Sequence, residues 1–87
     1  MKFEWDEKKS RANKSKHGID FKTAAELWNN PDRIEIQTNF TNEKRNALIG
    51  KIGDSLWTAI FTLRVDNVRL ISVRRARKKE AQLYEQK

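Results

Sequence analysis

Residues 33–75 constrain the fold most strongly, because apolar and polar side chains alternate along much of this segment. In the stretch RIEIQTN, Ile34 and Ile36 alternate with charged and amide residues, which is the period of a half-buried strand. The strand-like runs EKRNALIGKIG, LWTAIFTLRV and VRLISVRR follow, separated by turn-forming residues at 53–55 and 66–67. Four consecutive strands with short connections predict an antiparallel meander.

Helix signals flank this meander on both sides. A short strand in the sequence FEW precedes a predicted helix over about residues 7–17, with Asp6 as its N-cap and Gly18 as its left-handed C-cap. A second helix is predicted over about residues 21–29 and a last one over about residues 76–86. The predicted fold class is α+β, with two N-terminal helices and a C-terminal helix on an antiparallel four-stranded sheet plus the short N-terminal strand.

The alternation also predicts which side chains share a face of the sheet. Two-residue turns at residues 54–55 and 66–67 would make Val65 face Val68 and would gather Phe61, Leu63, Leu70 and Ser72 on one mainly apolar face. We expect the helices to cover this face. The opposite, basic face would carry Arg45, Lys51, Ile60, Thr62, Arg64, Arg69, Ile71, Val73 and Arg75. The same alternation puts Arg74 at the end of the apolar face.

Charge and composition limit the classes of function. Nineteen Lys and Arg residues outnumber twelve Asp and Glu residues, so the formal charge is +7, which favours partners such as nucleic acid or an acidic protein. The absence of Cys and the presence of one His exclude disulfides, thiolate metal sites and multi-histidine sites. We therefore predict no metal and no other cofactor.

Length and hydropathy predict where the protein acts. A chain of 87 residues has the size of one domain, spanning residues 1–87. Its N-terminus lacks the apolar core of a signal peptide, and its longest apolar-rich stretch, LWTAIFTLRV, is far short of a membrane span. We therefore expect a cytoplasmic protein with no membrane partner.

The first predicted helix has almost nothing apolar to bury. Between Trp5 and Ile19, Ala12 is the one ordinary apolar residue. One face of the helix instead carries four polar residues at spacings of three and four, namely Lys9, Asn13, Lys16 and His17. Two interpretations remain open: Asn13 and His17 hold backbone and close the helix, or Lys16 and His17 face a phosphate.

Three motifs resemble those of one family of bacterial toxins, the BrnT family. WDEKKSRANKSKHGIDF resembles its signature W-D-x-x-K-x-x-x-N-x-x-K-H-G-I-x-F, and NEKRNALIG resembles its E-x-R-x-x-x-I-G strand through Glu43 and Arg45. RLISVRRARKKEAQLYE resembles its R-I-I-S-A-R-x-A-x-x-x-E-x-x-x-Y ending through Arg74 and Tyr84, with Val73 in place of the commoner Ala. Together, in this order, the motifs are more specific than each alone.

This resemblance implies a compact RelE-like fold and toxicity through RNA cleavage that stops translation. It also implies neutralisation by a BrnA-like ribbon-helix-helix antitoxin, in a complex that binds its own operator DNA. Composition and alternation alone reach only a small basic α+β domain. Two other functions therefore stay open: a non-enzymatic nucleic-acid-binding module, and a RelE-fold toxin that acts on a protein target.

Metal-free RNA cleavage needs activation of the ribose 2′-hydroxyl, cations on the phosphate and a proton for the leaving 5′-oxygen. Guanidinium groups match phosphate oxygens, and His, Glu and Tyr side chains can carry a proton. The candidate catalytic residues are Lys16, His17, Glu43, Arg45, Arg74 and Tyr84. The candidate RNA-binding residues are Arg64, Arg69, Arg75 and Lys51.

Two expectations qualify these candidates. Glu43 and Glu80 are expected to hold arginines by ion pairing in preference to acting as general bases. Motif membership favours Arg74 as the residue that faces RNA, whereas the alternation favours Arg75, and we retain both. The three tryptophans lie in amphipathic contexts, so we assign them to the core and not to base stacking.

Overall fold

The computed structural model describes residues 2–40 and 43–86. These residues form an α+β fold, as predicted, with five strands and three α-helices, the second of which continues as a 3₁₀ helix over Ala25–Asn29. The strands are β1 (Lys2–Glu4), β2 (Ile34–Phe40), β3 (Glu43–Ile52), β4 (Ser55–Arg64) and β5 (Asn67–Arg75). The helices are α1 (Glu7–His17), α2 (Phe21–Ala24) and α3 (Lys78–Glu85).

The strands form one sheet in the order β1-β5-β4-β3-β2. Strands β2 to β5 pair antiparallel with their neighbours in sequence, as the short connections predict. Strand β1 extends the sheet by pairing parallel to the start of β5, so the sheet has five strands. Residues 41–42, between β2 and β3, lie outside the described residues.

Both described hairpin turns lie one residue earlier than predicted. Ile52 pairs with Ser55, so the first turn is Gly53 and Asp54, and the positive φ of 61° at Gly53 is one that glycine adopts without steric cost. The second turn places Val65 at a φ of 49°. The predicted pairing of Val65 with Val68 is therefore wrong. Each correction changes the partner of a given residue by two positions. Because side chains alternate between the faces with a period of two, the faces predicted for residues near the turns are unchanged.

A β-bulge then reverses the faces in the second half of β5. Phe61 pairs with Leu70, but Ile60 pairs with Ser72, so Ile71 is an extra residue on β5. A bulge places two residues of one strand opposite one residue of its partner, so the later side chains exchange faces. The alternation assumed an unbroken strand and for this reason cannot predict the second half of β5.

The predicted faces of Ser72, Val73 and Arg75 are therefore wrong. Val73 pairs with Ala59 and is buried in the core, and Arg75 pairs with Trp57 on the same face. Arg74 pairs with Thr58 and lies on the opposite face, where the alternation had put Arg75. The disagreement between motif and alternation is thus resolved in favour of Arg74 for that face.

The core lies between the sheet and the segment of α2 with its 3₁₀ continuation. The 3₁₀ continuation begins at Ala25, although a helical period was predicted over residues 21–29. Trp28 packs edge to face against Phe3 and Phe61, with ring centroids 5.1 Å and 5.0 Å apart. Trp5 and Trp57 also pack against the core, as expected. The buried members of the cluster are Ile19, Phe21, Ala24, Leu27, Leu48, Ala59, Phe61, Val68, Leu70 and Val73.

Helix α3 packs on the other face of the sheet, which corrects the expectation that all helices cover one face. It begins at Lys78 and not near residue 76, and its Glu80 contacts Thr58 and Arg74. The buried Ile49, paired with Thr58, lies on the same side. No helix within the described residues is long and apolar enough to cross a membrane.

Candidate nucleic-acid interface

Helix α1 is held by polar contacts to backbone in place of an apolar stripe. The buried Asn13 donates through Nδ2 to the carbonyl oxygens of Ile19 and Val73, each at 2.8 Å, and its Oδ1 accepts from the Val73 N–H at 3.1 Å. The buried Ser10 Oγ accepts from the Phe21 N–H at 2.9 Å. The interpretation that Asn13 holds backbone is thus confirmed. Its amide bonds to both the N–H and the C=O of Val73, as the backbone of a neighbouring strand would.

This attachment puts α1 along the edge of β5 beyond the end of β1. Asn13 lies at Val73, and Lys9, one helical turn earlier, lies beside Arg69 and Ile71. The helix begins after the Asp6 cap and ends at Gly18, whose φ is 84°, at the residues that the cap signals predict. A helix without an apolar face therefore presents a lysine beside the sheet.

Four cationic side chains converge on a shallow pocket of about 170 Å³. The pocket, called here the basic pocket, is lined by Lys9, Arg45, Thr62, Arg64, Arg69 and Ile71. Three of the predicted site residues therefore meet, from strands β3, β4 and β5. Lys9 was missing from the candidates, although its place on the polar stripe and in the first motif was a signal that could have found it.

Among the side chains that the structure describes, the carboxylate of Glu4 borders the basic pocket. Glu4 accepts from Arg69 Nη1 at 2.9 Å and from Asn67 Nδ2 at 3.3 Å. The hydrogen bond from Asn67, followed by that from Arg69, holds the pKa of Glu4 below its ordinary value. The ion pair is about one-third exposed on both sides, so water screens it, and Glu4 both orients Arg69 and offsets part of the positive charge of the pocket.

A second charged cluster lies farther along the same face. Arg74 binds Glu80 through two parallel contacts, Nη1 to Oε1 at 2.7 Å and Nη2 to Oε2 at 2.9 Å. Glu80 Oε1 also accepts from the Thr58 hydroxyl at 2.9 Å and from the Arg77 N–H at 2.7 Å. The bond from Arg74, followed by those from Arg77 and Thr58, lowers the pKa of Glu80 to about 2.

The expectation that Glu80 holds an arginine is confirmed. The bidentate contact with Glu80 also raises the pKa of Arg74. Thr58, at this cluster, and Thr62, at the basic pocket, are four residues apart on β4. The two sites are therefore separated by about 13 Å along the same face of the sheet.

The other predicted site residues lie elsewhere. The Arg75 guanidinium lies over the Trp57 ring at 5.3 Å from its centroid. The Tyr84 hydroxyl donates to Asn30 Oδ1 at 3.0 Å, and the same oxygen accepts from the Lys51 N–H at 3.3 Å. Lys51 is six residues from the Arg45 position on β3, which corresponds to about 20 Å.

The remaining candidates flank the basic pocket in sequence. Lys16 and His17 end α1, and His17 is eight residues beyond Lys9, or about 12 Å along the helix axis. Glu43 begins β3 two positions before Arg45, and its side chain lies outside the described part of the structure. In the described residues, no group of three or more His, Asp or Glu side chains is arranged to hold a metal ion.

Comparison with protein families gives one match to this chain. The family model that describes BrnT, a ribonuclease toxin of type II toxin–antitoxin systems, matches residues 5–80. A search of curated proteins finds no match. The matched segment includes α1, the basic pocket and the pair of Arg74 with Glu80, whereas Glu4 and Tyr84 lie outside it.

Proposed function

We propose, since the chain belongs to the BrnT family of ribonuclease toxins of type II toxin–antitoxin systems, that it binds the RNA backbone in the basic pocket and cleaves it without a metal ion. Membership of the family supports ribonuclease activity in general and implies an antitoxin partner. The location of the RNA, the roles of individual residues, a RelE-like arrangement of one domain and the metal-free chemistry are our proposal.

The convergence of Lys9, Arg45, Arg64 and Arg69 on one pocket is the observation that supports this location. These residues come from four elements, so local sequence does not explain their proximity. Like charges repel, so a site that gathers four cations attracts anions, of which the carboxylate of Glu4, bound to Arg69, is one. Guanidinium groups bind two phosphate oxygens at once, and a lysine ammonium adds a point charge.

The chemistry follows from the groups that RNA itself supplies. The ribose O2′ forms a bond to phosphorus and the bond from phosphorus to O5′ breaks, which leaves a 2′,3′-cyclic phosphate and a 5′-hydroxyl. A base takes the 2′-hydroxyl proton, and an acid gives a proton to O5′. The arginines of the pocket stabilise the added negative charge on the phosphorane.

Three residues are proposed for the proton transfers: His17, Glu43 and Tyr84. Glu43 is nearest to the pocket in sequence, two positions before Arg45. His17 and Tyr84 would require RNA that extends past the end of α1 or over α3. Rates over a range of pH for His17→Ala, Glu43→Gln and Tyr84→Phe separate the three, because loss of the proton carrier removes one limb of the profile.

Arg74 is proposed as a contact for a flanking part of the RNA. Its side chain is 22% exposed and lies on the face that carries the basic pocket. Glu80 occupies two of the five N–H donors of the guanidinium and the Arg75 carbonyl oxygen accepts a third at 3.4 Å, which leaves two for a phosphate. Lys16, Lys51 and Arg75 are proposed as outlying cations that add salt-dependent affinity.

The proposed cellular role is inhibition of translation in the cytoplasm. A ribbon-helix-helix antitoxin of the BrnA type would neutralise the toxin, and the complex would bind operator DNA. Growth arrest on induction, relieved by co-expression of the neighbouring gene product, tests this role. Arrest without cleavage of free RNA would instead indicate action on the ribosome or on a protein target.

The test of the site compares two adjacent lysines. Lys9→Ala and Lys8→Ala remove the same charge from neighbouring exposed positions of α1, but Lys9 lines the basic pocket and Lys8 does not. We expect cleavage of a defined RNA in EDTA to fall about tenfold or more for Lys9→Ala and less than about twofold for Lys8→Ala. Equal losses would indicate non-specific charge, and cleavage that occurs with added Mg²⁺ but not in EDTA would exclude a metal-free reaction.

A further inference from the structure

The two edges of the sheet differ in what pairs with their strands. At one edge, β1 pairs with the first residues of β5, and the Asn13 amide pairs with Val73 beyond them. At the other edge, β2 pairs with β3 on one side and is the last strand of the sheet. The chain thus caps one edge with its own N-terminal segment, whereas no strand of residues 2–40 and 43–86 pairs with the outer side of β2.

The backbone of β2 presents hydrogen-bonding groups on that outer side. The Lys51 N–H bonds to Asn30 and not to β4, so odd-numbered residues of β3 direct their backbone groups away from β4 and toward the β2 side. Ile36 pairs with the odd-numbered Ala47, so the backbone N–H and C=O of Ile36 point toward β3. The residues on either side of it, Glu35 and Gln37, direct their N–H and C=O groups outward.

Strand β2 lacks the usual protection of an edge strand. Its sequence, IEIQTNF, contains no Pro and no Lys, and its one charged residue is Glu35. Natural edge strands are commonly short, charged, bulged or covered, because an exposed edge is a template for another strand. A seven-residue edge strand with one charged residue and no Pro or Lys is suited to pairing.

A groove of about 490 Å³ adjoins this edge where the helices do not cover the sheet. Leu63, at the end of β4, lies in it and is 62% exposed. The groove is lined by Glu35, Ile36, Gln37, Lys44, Asn46 and Leu63. One carboxylate and one ammonium give it no formal net charge, in contrast to the basic pocket, so it favours a peptide over a polyanion.

We propose that the outer edge of β2 binds an extended segment of the antitoxin by β-strand addition, and that the same segment crosses the groove and covers Leu63 with an apolar side chain. Main-chain hydrogen bonds to Glu35 and Gln37 would provide affinity, and the contact with Leu63 would provide selectivity. This proposal rests on the antitoxin partner of the proposed function. It also leaves the basic pocket to the RNA, so the antitoxin segment at this edge and the substrate use different surfaces.

Gln37→Pro tests the strand addition. Proline removes the outward N–H of Gln37, whereas the ladder between β2 and β3 does not use that N–H. Gln37→Thr is the matched control, because it changes the side chain and keeps the N–H. The probe is the purified product of the neighbouring gene that restores growth, titrated calorimetrically against each variant.

We expect the dissociation constant of the antitoxin to rise at least a hundredfold for Gln37→Pro, to rise about tenfold for Leu63→Ser and to stay within about threefold for Gln37→Thr. RNA cleavage and circular dichroism should be unchanged in all three variants. The amides of Glu35 and Gln37 should exchange more slowly with solvent in the complex.

Unchanged antitoxin affinity in a folded Gln37→Pro variant would overturn the proposal. If the unmodified protein self-associates and Gln37→Pro abolishes this without lowering antitoxin affinity, the proposal is also overturned, because β2 would then pair two copies of this chain. The affinity is measured without reference to cleavage, so absence of ribonuclease activity would contradict the proposed function and leave the edge proposal supported by its own titration.

Discussion

Helices α1 and α3 are both attached to the sheet by polar side chains, but the two attachments differ in charge and burial. Asn13 joins α1 to β5 through a neutral amide that is 7% exposed. Glu80 joins α3 to the sheet through an ion pair whose side chains are 20% and 22% exposed. The first attachment depends on complete satisfaction of buried groups, and the second depends on ionisation.

This difference separates a structural role from a functional one. The Asn13 bonds hold β5 immediately after the bulge at Ile71, and so stabilise the register that puts Arg74 on the face of the basic pocket. The Glu80 bonds hold the Arg74 side chain itself. Loss of the first contact should affect the whole molecule, whereas loss of the second should mainly affect α3 and the position of Arg74.

The largest expected effect is that of Asn13→Ala. The variant leaves the N–H and C=O of Val73 and the C=O of Ile19 without these bonds in a buried site, at about 1 kcal/mol each. We expect the free energy of unfolding, measured with urea, to fall by about 3 kcal/mol. Asn29→Ala, at an exposed position, is the control. A loss below about 1 kcal/mol would show that water replaces the amide.

Glu80→Gln should have a smaller effect, about 2 kcal/mol, because the ion pair is partly exposed and glutamine can still accept one hydrogen bond. Glu85→Gln, at an exposed position of the same helix, is the control. If Arg74 acts on RNA, cleavage should also decrease, because its side chain loses the partner that orients it. Equal stability of both variants would contradict the role of Glu80 in attaching α3.

Acid should weaken the α3 attachment selectively. The pKa of Glu80 is lowered from 4.5 to about 2 in the folded protein, so its stabilisation is complete above pH 4.5 and is lost as the pH falls toward 2. We expect the stability difference between the unmodified protein and Glu80→Gln to shrink over this interval. The difference for Asn13→Ala should stay constant, because an amide does not titrate. A parallel decline of both differences would contradict the assignment.

The smallest expected effect is that of Tyr84→Phe. The hydroxyl makes one half-exposed bond, to Asn30 Oδ1, whose other partner is the Lys51 N–H. We expect a loss of about 0.5–1 kcal/mol in the free energy of unfolding. If Tyr84 were the proton carrier, cleavage would fall far more than this loss of stability explains, which distinguishes a catalytic role from a second support for α3.

Several features of the fold were predictable because their causes are local. Asp6 and Gly18 define the ends of α1 through the backbone that a cap requires. The alternation around Ile34 and Ile36 and the short connections between strands predict the antiparallel sheet. Of the candidate site, the alternation predicted that Arg45, Arg64 and Arg69 share one face of the sheet, but not that these three meet at one pocket.

The other features depend on residues far apart in sequence. The bulge at Ile71 arises where β5 must fit both β4 and α1, and it sets the face of Arg74. Asn13 meets Val73 sixty residues away, and the motif that contains Asn13 gives no sign of this partner. Side-chain patterns encode local periods and helix caps. The free energy of the assembled core, in contrast, selects the position of a bulge in a strand and the face of the sheet on which the last helix packs.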